Sequence, residues 1–169
     1  KNKIIVIFPL IQKYIYEIAP SNQTKDKFTL LVVGGSQGAN IFDNNFKDSI
    51  VSISKKIQIN IIQQTNTKKI SFLENFYSKN NVRNKIFSYE QNLANYISQA
   101  DLCITRAGAS TLAELSLMNT PFIAVPLPTS KDNHQLENAN FYKDNDCCWI
   151  IEQNIFEEKI EDLIKGIIR

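Results

Sequence analysis

Two loops of this chain place small residues where an anion would need them. Gly34-Gly35-Ser36-Gln37-Gly38 follows the apolar run Phe28-Thr29-Leu30-Leu31-Val32-Val33. Arg106-Ala107-Gly108-Ala109-Ser110-Thr111 follows Ala100-Asp101-Leu102-Cys103-Ile104-Thr105. Each run reads as a buried strand, and each loop opens a helix-like stretch, Ala39–Ile53 and Ser110–Met118. A strand, a small-residue turn and a helix N-terminus together make an anion site. The free backbone N–H groups and the positive end of the helix dipole attract phosphate. Two such turns in one chain point to a nucleotide diphosphate, bound at the carboxyl ends of a parallel sheet. A plain structural turn between strand and helix is the alternative for each loop. The first loop has neither the G-x-G-x-x-G spacing nor a following Walker lysine.

Two further groups carry polar side chains at helix starts. Thr111-Leu112-Ala113-Glu114 fits a capping box, with Glu114 reaching back to the cap N–H. The functional alternative turns Glu114 toward the cleft, where a carboxylate accepts both hydroxyls of a ribose. Asp132-Asn133-His134-Gln135-Leu136-Glu137-Asn138 follows the turn Pro126-Leu127-Pro128. Asp132 reads as a helix cap. His134, Gln135 and Asn138 suit uncharged sugar hydroxyls. His134 is the only histidine, and a structural role stays open for it. Neither Ser36 nor Ser110 lies in a G-x-S-x-G elbow, which argues against a Ser-His-Asp triad. No cluster has metal-ligand spacing, so no metal is expected.

Length and composition bound the rest. At 169 residues the chain is one domain of ordinary size, and 43% hydrophobic residues can fill a core. Nineteen basic against seventeen acidic residues leave a net charge of +2, too small a field to argue for nucleic acid. Cys103, Cys147 and Cys148 lack C-x-x-C spacing, and three reduced thiols fit a cytosolic compartment. No apolar run approaches the roughly 20 residues that span a bilayer. The basic opening before Ile4–Phe8 resembles a signal peptide, but its apolar part is short and Pro9 cuts it, so it reads as a strand. The chain opens without methionine, as a piece of a longer protein would.

Strands and helices then alternate. After a polar linker over Pro20–Lys27 come strand Phe28–Val33, helix Ala39–Ile53, strand Ile57–Gln63 and helix Thr67–Ser78. Strand Lys85–Phe87, helix Asn92–Gln99, strand Asp101–Thr105 and helix Ser110–Met118 follow. Strand Pro121–Val125, helix Asp132–Lys143, strand Cys148–Ile151 and helix Phe156–Ile168 close the chain. This alternation predicts an α/β fold, a doubly wound parallel sheet with helices on both faces.

The ordered set Gly34-Gly35-Ser36-Gln37-Gly38-Ala39, Arg106-Ala107-Gly108-Ala109-Ser110-Thr111-x-x-Glu114, Pro121 and Asp132-Asn133-His134-Gln135-x-x-Asn138-Ala139 resembles the C-terminal domain of MurG-type glycosyltransferases. The resemblance runs from about Thr29 to the end. It implies one Rossmann-like half of a two-domain GT-B enzyme, with residues 1–27 ending the interdomain link and 28–169 binding the donor. Such enzymes transfer N-acetylglucosamine from UDP-N-acetylglucosamine to undecaprenyl-diphospho-N-acetylmuramoyl-pentapeptide (lipid I), giving lipid II with inversion and without a metal or other cofactor. They act as peripheral proteins on the cytoplasmic face of the bacterial inner membrane. By that resemblance Gly35, Ser36 and Gln37 line the cleft, and the backbone of Ala109, Ser110 and Thr111 faces the diphosphate. Glu114 holds the ribose, the backbone near Glu90 meets the uracil, and His134, Gln135 and Asn138 serve the sugar. The acceptor site, the membrane-facing patch and the general base belong to an N-terminal domain outside this sequence. Where the family has Gly-Asn-Pro and an arginine, this chain has Ile7-Phe8-Pro9 and Ile11. The alternatives are another UDP-sugar transferase or epimerase of this architecture, and a non-catalytic donor-binding subunit of a split transferase.

Overall fold

The computed structural model describes residue 11 and residues 13–18, 27–35 and 40–168. The expected strand Ile4–Phe8, nearly all of the linker, and Ser36 and Gln37 lie outside the described residues. Six parallel strands form one sheet: β1 (Phe28–Val33), β2 (Ile59–Gln64), β3 (Arg83–Phe87), β4 (Leu102–Thr105), β5 (Phe122–Ala124) and β6 (Cys148–Ile150). Their order is β3-β2-β1-β4-β5-β6. The chain winds outward from β1 in one direction, then returns to the other side of β1 and winds the opposite way. The point of reversal therefore lies between β1 and β4, where doubly wound sheets open a crevice.

Alternation along the strands explains why helices cover both faces. Leu30 and Val32 of β1 join Leu102, Ile104 and Ile123 on one face, while Leu31 and Val33 join Cys103, Phe122 and Ala124 on the other. The first face is covered by α1 (Asn40–Asn44), α2 (Phe46–Ser54), α3 (Ile70–Lys79) and α7 (Phe156–Ile168). The second is covered by α4 (Ala94–Ile97), α5 (Ala109–Leu117) and α6 (His134–Lys143). Phe156 seats its ring between Phe42 and Phe46, with centroids 5.5 and 5.6 Å away. Asp101 latches the start of β4 to that of β1, because Thr29 N–H donates to its carboxylate at 2.7 Å. All three cysteines are free thiols.

The described strands and the last helix follow the expected pattern, and four helices depart from it, among them the one expected over Asp132–Lys143, which starts at His134 after a 3-10 turn. The stretch expected as one helix from Ala39 breaks into α1 and α2 at Asn45. Paired Asn44 and Asn45 compete for backbone hydrogen bonds, and Lys47 Nζ donates to the Asn44 carbonyl at 2.8 Å. A 3-10 turn, Thr67–Lys69, precedes α3, with Asn66 capping it through Lys68 N–H. The expected helix Asn92–Gln99 contracts to four residues. An unexpected 3-10 turn, Lys13–Glu17, buries Ile15.

A buried polar chain ties α1 to the sheet beside the first loop. Tyr77 Oη donates to Gln63 Oε1 at 2.7 Å, and Gln63 Nε2 donates to Asp43 Oδ1 at 3.2 Å. Lys69 pairs with Asp43 at 3.3 Å. Tyr77→Phe leaves the Gln63 carbonyl buried and unpaired, which should destabilise the chain by about 1–3 kcal/mol in urea unfolding. A variant as stable as the parent would show that the Gln63 carbonyl finds another partner.

Candidate functional site: a cleft at the sheet's point of reversal

The carboxyl ends of β1, β4 and β5 open on one cleft of about 490 Å³. Gly34 and Gly35 line one wall, Thr105, Arg106, Gly108, Ala109, Ser110 and Thr111 the floor, and Leu127, Ser130, His134 and Gln135 the opposite wall. Gly34 and Gly35 of the first loop and the whole turn from Thr105 into α5 therefore meet the same space, together with the His134-Gln135 pair.

The floor is an uncapped helix N-terminus. Gly108 is the N-cap of α5, and no side chain caps the helix. The first backbone bond of the helix runs from Leu112 N–H to the Gly108 carbonyl at 3.1 Å. The N–H groups of Ala109, Ser110 and Thr111 precede it and have no carbonyl within the helix to meet. A Cβ at Gly108 would meet nothing within 4 Å, so the space above this backbone is open to a ligand. Gly35 is held at φ +78°, a left-handed value that glycine adopts without strain. The capping-box reading fails here. With Gly108 as N-cap, Thr111 is the third helical residue and Glu114 lies nearly a turn too late to reach back.

The opposite wall is built from left-handed backbone. Asp132 and Asn133 have φ of 50° and 56°, a conformation that Asp and Asn tolerate better than most residues. Asp132 is thus not the cap expected of it; it sits within the 3-10 turn Lys131–Asn133 that leads into α6. That geometry folds the Lys131 carbonyl onto His134 Nδ1. A carbonyl only accepts, so Nδ1 carries the hydrogen and Nε2 is left for a ligand hydroxyl. Gln135 Oε1 accepts from Leu127 N–H at 3.0 Å. Its NH₂ group has no partner among the described residues and remains as a donor. Asn138 uses its amide on the Ala107 carbonyl at 3.1 Å, which holds the loop after β4 and spends on the protein the amide N–H expected to serve a sugar.

Glu114 and Glu90 stand beside the cleft rather than in its wall. Burial raises the Glu114 carboxyl above its ordinary value. Tyr14, on the Lys13–Glu17 turn, feels both carboxylates, and after burial itself they are the causes that raise its phenol. The three side chains thus share one electrostatic neighbourhood. Glu90 accepts the Asn92 N–H at 3.0 Å, shaping the turn after β3. Tyr14 has no sequence signal of its own; it depends on how the segment before β1 returns to the sheet.

Arg106 is the residue whose part was least legible. Its Nη1 donates to the carbonyls of Val125 and Pro126 at 3.1 and 3.4 Å, its Nη2 to Gln153 Oε1 at 2.5 Å, and its guanidinium lies 5.5 Å from the Phe42 ring centroid. Half-burial lowers its pKa from the ordinary value, yet an arginine stays charged at any physiological pH. Among the described residues no group of three or more His, Cys, Asp or Glu could hold a metal ion. No helix among them is long and apolar enough to cross a membrane.

The family model for the glycosyltransferase family 28 C-terminal domain matches residues 29–169. The chain belongs to that family. As a glycosyltransferase family 28 C-terminal domain it is 44% identical over 159 residues to the UDP-N-acetylglucosamine–N-acetylmuramyl-(pentapeptide) pyrophosphoryl-undecaprenol N-acetylglucosamine transferase of Pelagibacter ubique, covering 94% of this chain and 45% of that protein. The Rickettsia prowazekii protein of the same name is 39% identical over 164 residues, covering 95% and 42%. Family 28 geometry is equally plain in the crystal structure of Acinetobacter baumannii MurG. It superposes on 93% of this chain and 45% of its own with a TM-score of 0.79 and 26% identity. The chain spans about half the length of the curated relatives it matches.

Because Glu114 is not a cap, removing its charge should not cost stability. The folded protein holds the Glu114 proton more tightly than the unfolded chain does. Ionisation therefore withdraws stability as pH rises from the ordinary carboxylate range through the raised value. Glu114→Gln should melt at or above the parent temperature at pH 7, and the difference should close near pH 4. A clear fall in melting temperature at pH 7 would restore a capping role.

Proposed function

We propose that this chain is the donor-binding half of a MurG-type transferase, taking UDP-N-acetylglucosamine in the cleft between Gly34-Gly35 and the start of α5. The observation that carries the reading is the uncapped N-terminus of α5: three orphan N–H groups line one cleft with a free Gln135 amide and a free His134 nitrogen. The N–H groups suit a diphosphate, and the imidazole and amide suit sugar hydroxyls. Glu114, half-buried nearby, accepts the ribose hydroxyls, and the turn at Glu90 receives the uracil. By the family resemblance Ser36 and Gln37 belong to the same donor site. The printed activity of the Pelagibacter and Rickettsia relatives supports the same donor.

In this reading the acceptor is lipid I, whose sugar hydroxyl attacks the anomeric carbon in one displacement while UDP leaves. Charge grows on the β-phosphate oxygens during that step. The helix N-terminus and the fixed N–H dipoles stabilise it without reorganising. Acceptor, base and membrane contact are supplied by the half of the relatives that these 169 residues do not cover. The enzyme would work as a peripheral protein at the cytoplasmic side of the inner membrane.

Titration calorimetry tests the donor. UDP-N-acetylglucosamine should bind more tightly than UDP-glucose, and UDP more tightly than ADP. Glu114→Ala should weaken UDP by about 1.5–3 kcal/mol, as for a hydrogen bond to a charged group, with no fall in its melting temperature. Equal affinity for ADP and UDP would overturn the uridine assignment.

Transfer should need the other half of the cleft. The 169 residues alone should give no turnover on lipid I. Fusion to an N-terminal half from a relative should restore it, since displacement requires hydroxyl, base and anomeric carbon to be held together. Ile11→Arg in that fusion should raise turnover further. Robust transfer by the chain alone would place the base among its own residues.

A further inference from the structure

We propose that Arg106 is a positioning residue that clamps the sugar-side turn to the phosphate-side loop, so that preference for the sugar nucleotide over bare UDP depends on it. The proposal rests on the donor-binding reading above.

Arg106 is the single arginine or lysine among the described residues lining the cleft, and an obvious role would be direct pairing with a diphosphate. Its hydrogen bonds say otherwise. Nη1 spans the two carbonyls at the end of β5, and Nη2 reaches Gln153 at the end of β6. The guanidinium is therefore committed to the carboxyl ends of the neighbouring strands, with Phe42 of α1 beside it.

The stitching is reciprocal. Arg106 leaves the phosphate-side loop and holds Val125 and Pro126, from which the sugar-side turn departs. Asn138 leaves α6 on the sugar side and holds Ala107, next to Arg106. Between the two, Gln135 closes the turn on Leu127 N–H, and Ser130 N–H closes it again on the Leu127 carbonyl at 3.0 Å. The pair His134-Gln135 is thus fixed relative to the N-terminus of α5 by these side chains as well as by the backbone bond from Val125 N–H to the Thr105 carbonyl at 2.8 Å. In the donor-binding reading UDP itself meets Gly34-Gly35, the phosphate-side loop at the start of α5, Glu114 and the turn at Glu90, none of them on the sugar-side turn. A looser clamp would move the sugar contacts and leave the nucleotide contacts in place.

Lysine separates this role from direct electrostatics. It keeps the charge but presents a point ammonium in place of a planar fork, and one ammonium cannot match the same three acceptors. The experiment measures UDP and UDP-N-acetylglucosamine affinity for the parent, Arg106→Lys and Arg106→Gln, with amide hydrogen exchange on each protein free of nucleotide. In Arg106→Lys the sugar nucleotide should lose about tenfold and UDP about twofold or less, the tenfold matching one misplaced hydrogen bond. Exchange at Leu127 and Ser130 should accelerate. Equal loss for both ligands in the Lys and Gln variants would mean a general structural role. Loss for both in Gln with full rescue by Lys would mean direct charge on the diphosphate. Unchanged exchange at Leu127 and Ser130 would also overturn the clamp. Should Arg106→Gln fail to fold, the Lys variant carries both readouts. A parent that binds neither ligand refutes the donor reading, while the exchange measurement still decides the clamp.

Discussion

β1 hydrogen-bonds in parallel to β2 on one side and β4 on the other, and this double pairing determines where the rest of the molecule goes. Parallel neighbours need crossover connections, and right-handed crossovers in opposite directions put helices on both faces. They also send the loops after β1 and β4 out of the same edge with nothing between them. Asp101 sets the register by accepting the Thr29 N–H. A slip of one residue would exchange Leu30 and Val32 with Leu31 and Val33, bringing each core into the other's place. The cleft is thus a by-product of strand order, and the side chains around it only refine what strand order made.

That refinement has two layers. Backbone supplies the anion-attracting part, through a helix whose first N–H groups lack partners. Side chains supply the geometry of the far wall: Arg106 and Asn138 are each spent on carbonyls of the other side, and Gln135 closes the far wall's own turn on Leu127 N–H. Polar residues near a cleft are readily assigned to ligand contact. Here several of them hold the walls apart at a set distance, which leaves fewer groups for the ligand but fixes where they stand. The network under α1, from Tyr77 through Gln63 and Asp43 to Lys69, does similar work below the first loop.

The sequence was most readable where a physical pattern repeats. Alternating strand and helix patterns gave the doubly wound sheet, and Phe156–Ile168 was readable to the residue because its apolar stripe is regular. The glycine-bearing loops were readable as turns after β1 and β4, and the structure brings Gly34, Gly35 and the start of α5 to one cleft. Local chemistry was less legible. Thr111-x-x-Glu114 spells a capping box, but the helix begins three residues earlier than that motif requires, since Gly108 already turns the chain. Asp132 looks like a cap and instead takes a left-handed conformation. Asn138 and Arg106 find their partners 31 and 19 residues away in sequence, and no local pattern encodes such pairs. Glu114 and Glu90 come together with Tyr14 only through the fold.

Gly108 leaves the first turn of α5 without a side-chain acceptor, in a place with room for one. Serine or aspartate there would satisfy an orphan N–H and improve the helix by a few tenths of a kcal/mol over glycine. Any procedure that ranks substitutions by thermal tolerance would therefore favour them, and a library sorted for expression or heat resistance would drift toward a filled cap. The gain would occupy the very groups that make the cleft attractive to phosphate. In the donor-binding reading proposed above, position 108 is thus a place where robustness and recognition compete for the same three hydrogens, and glycine resolves the contest in favour of recognition.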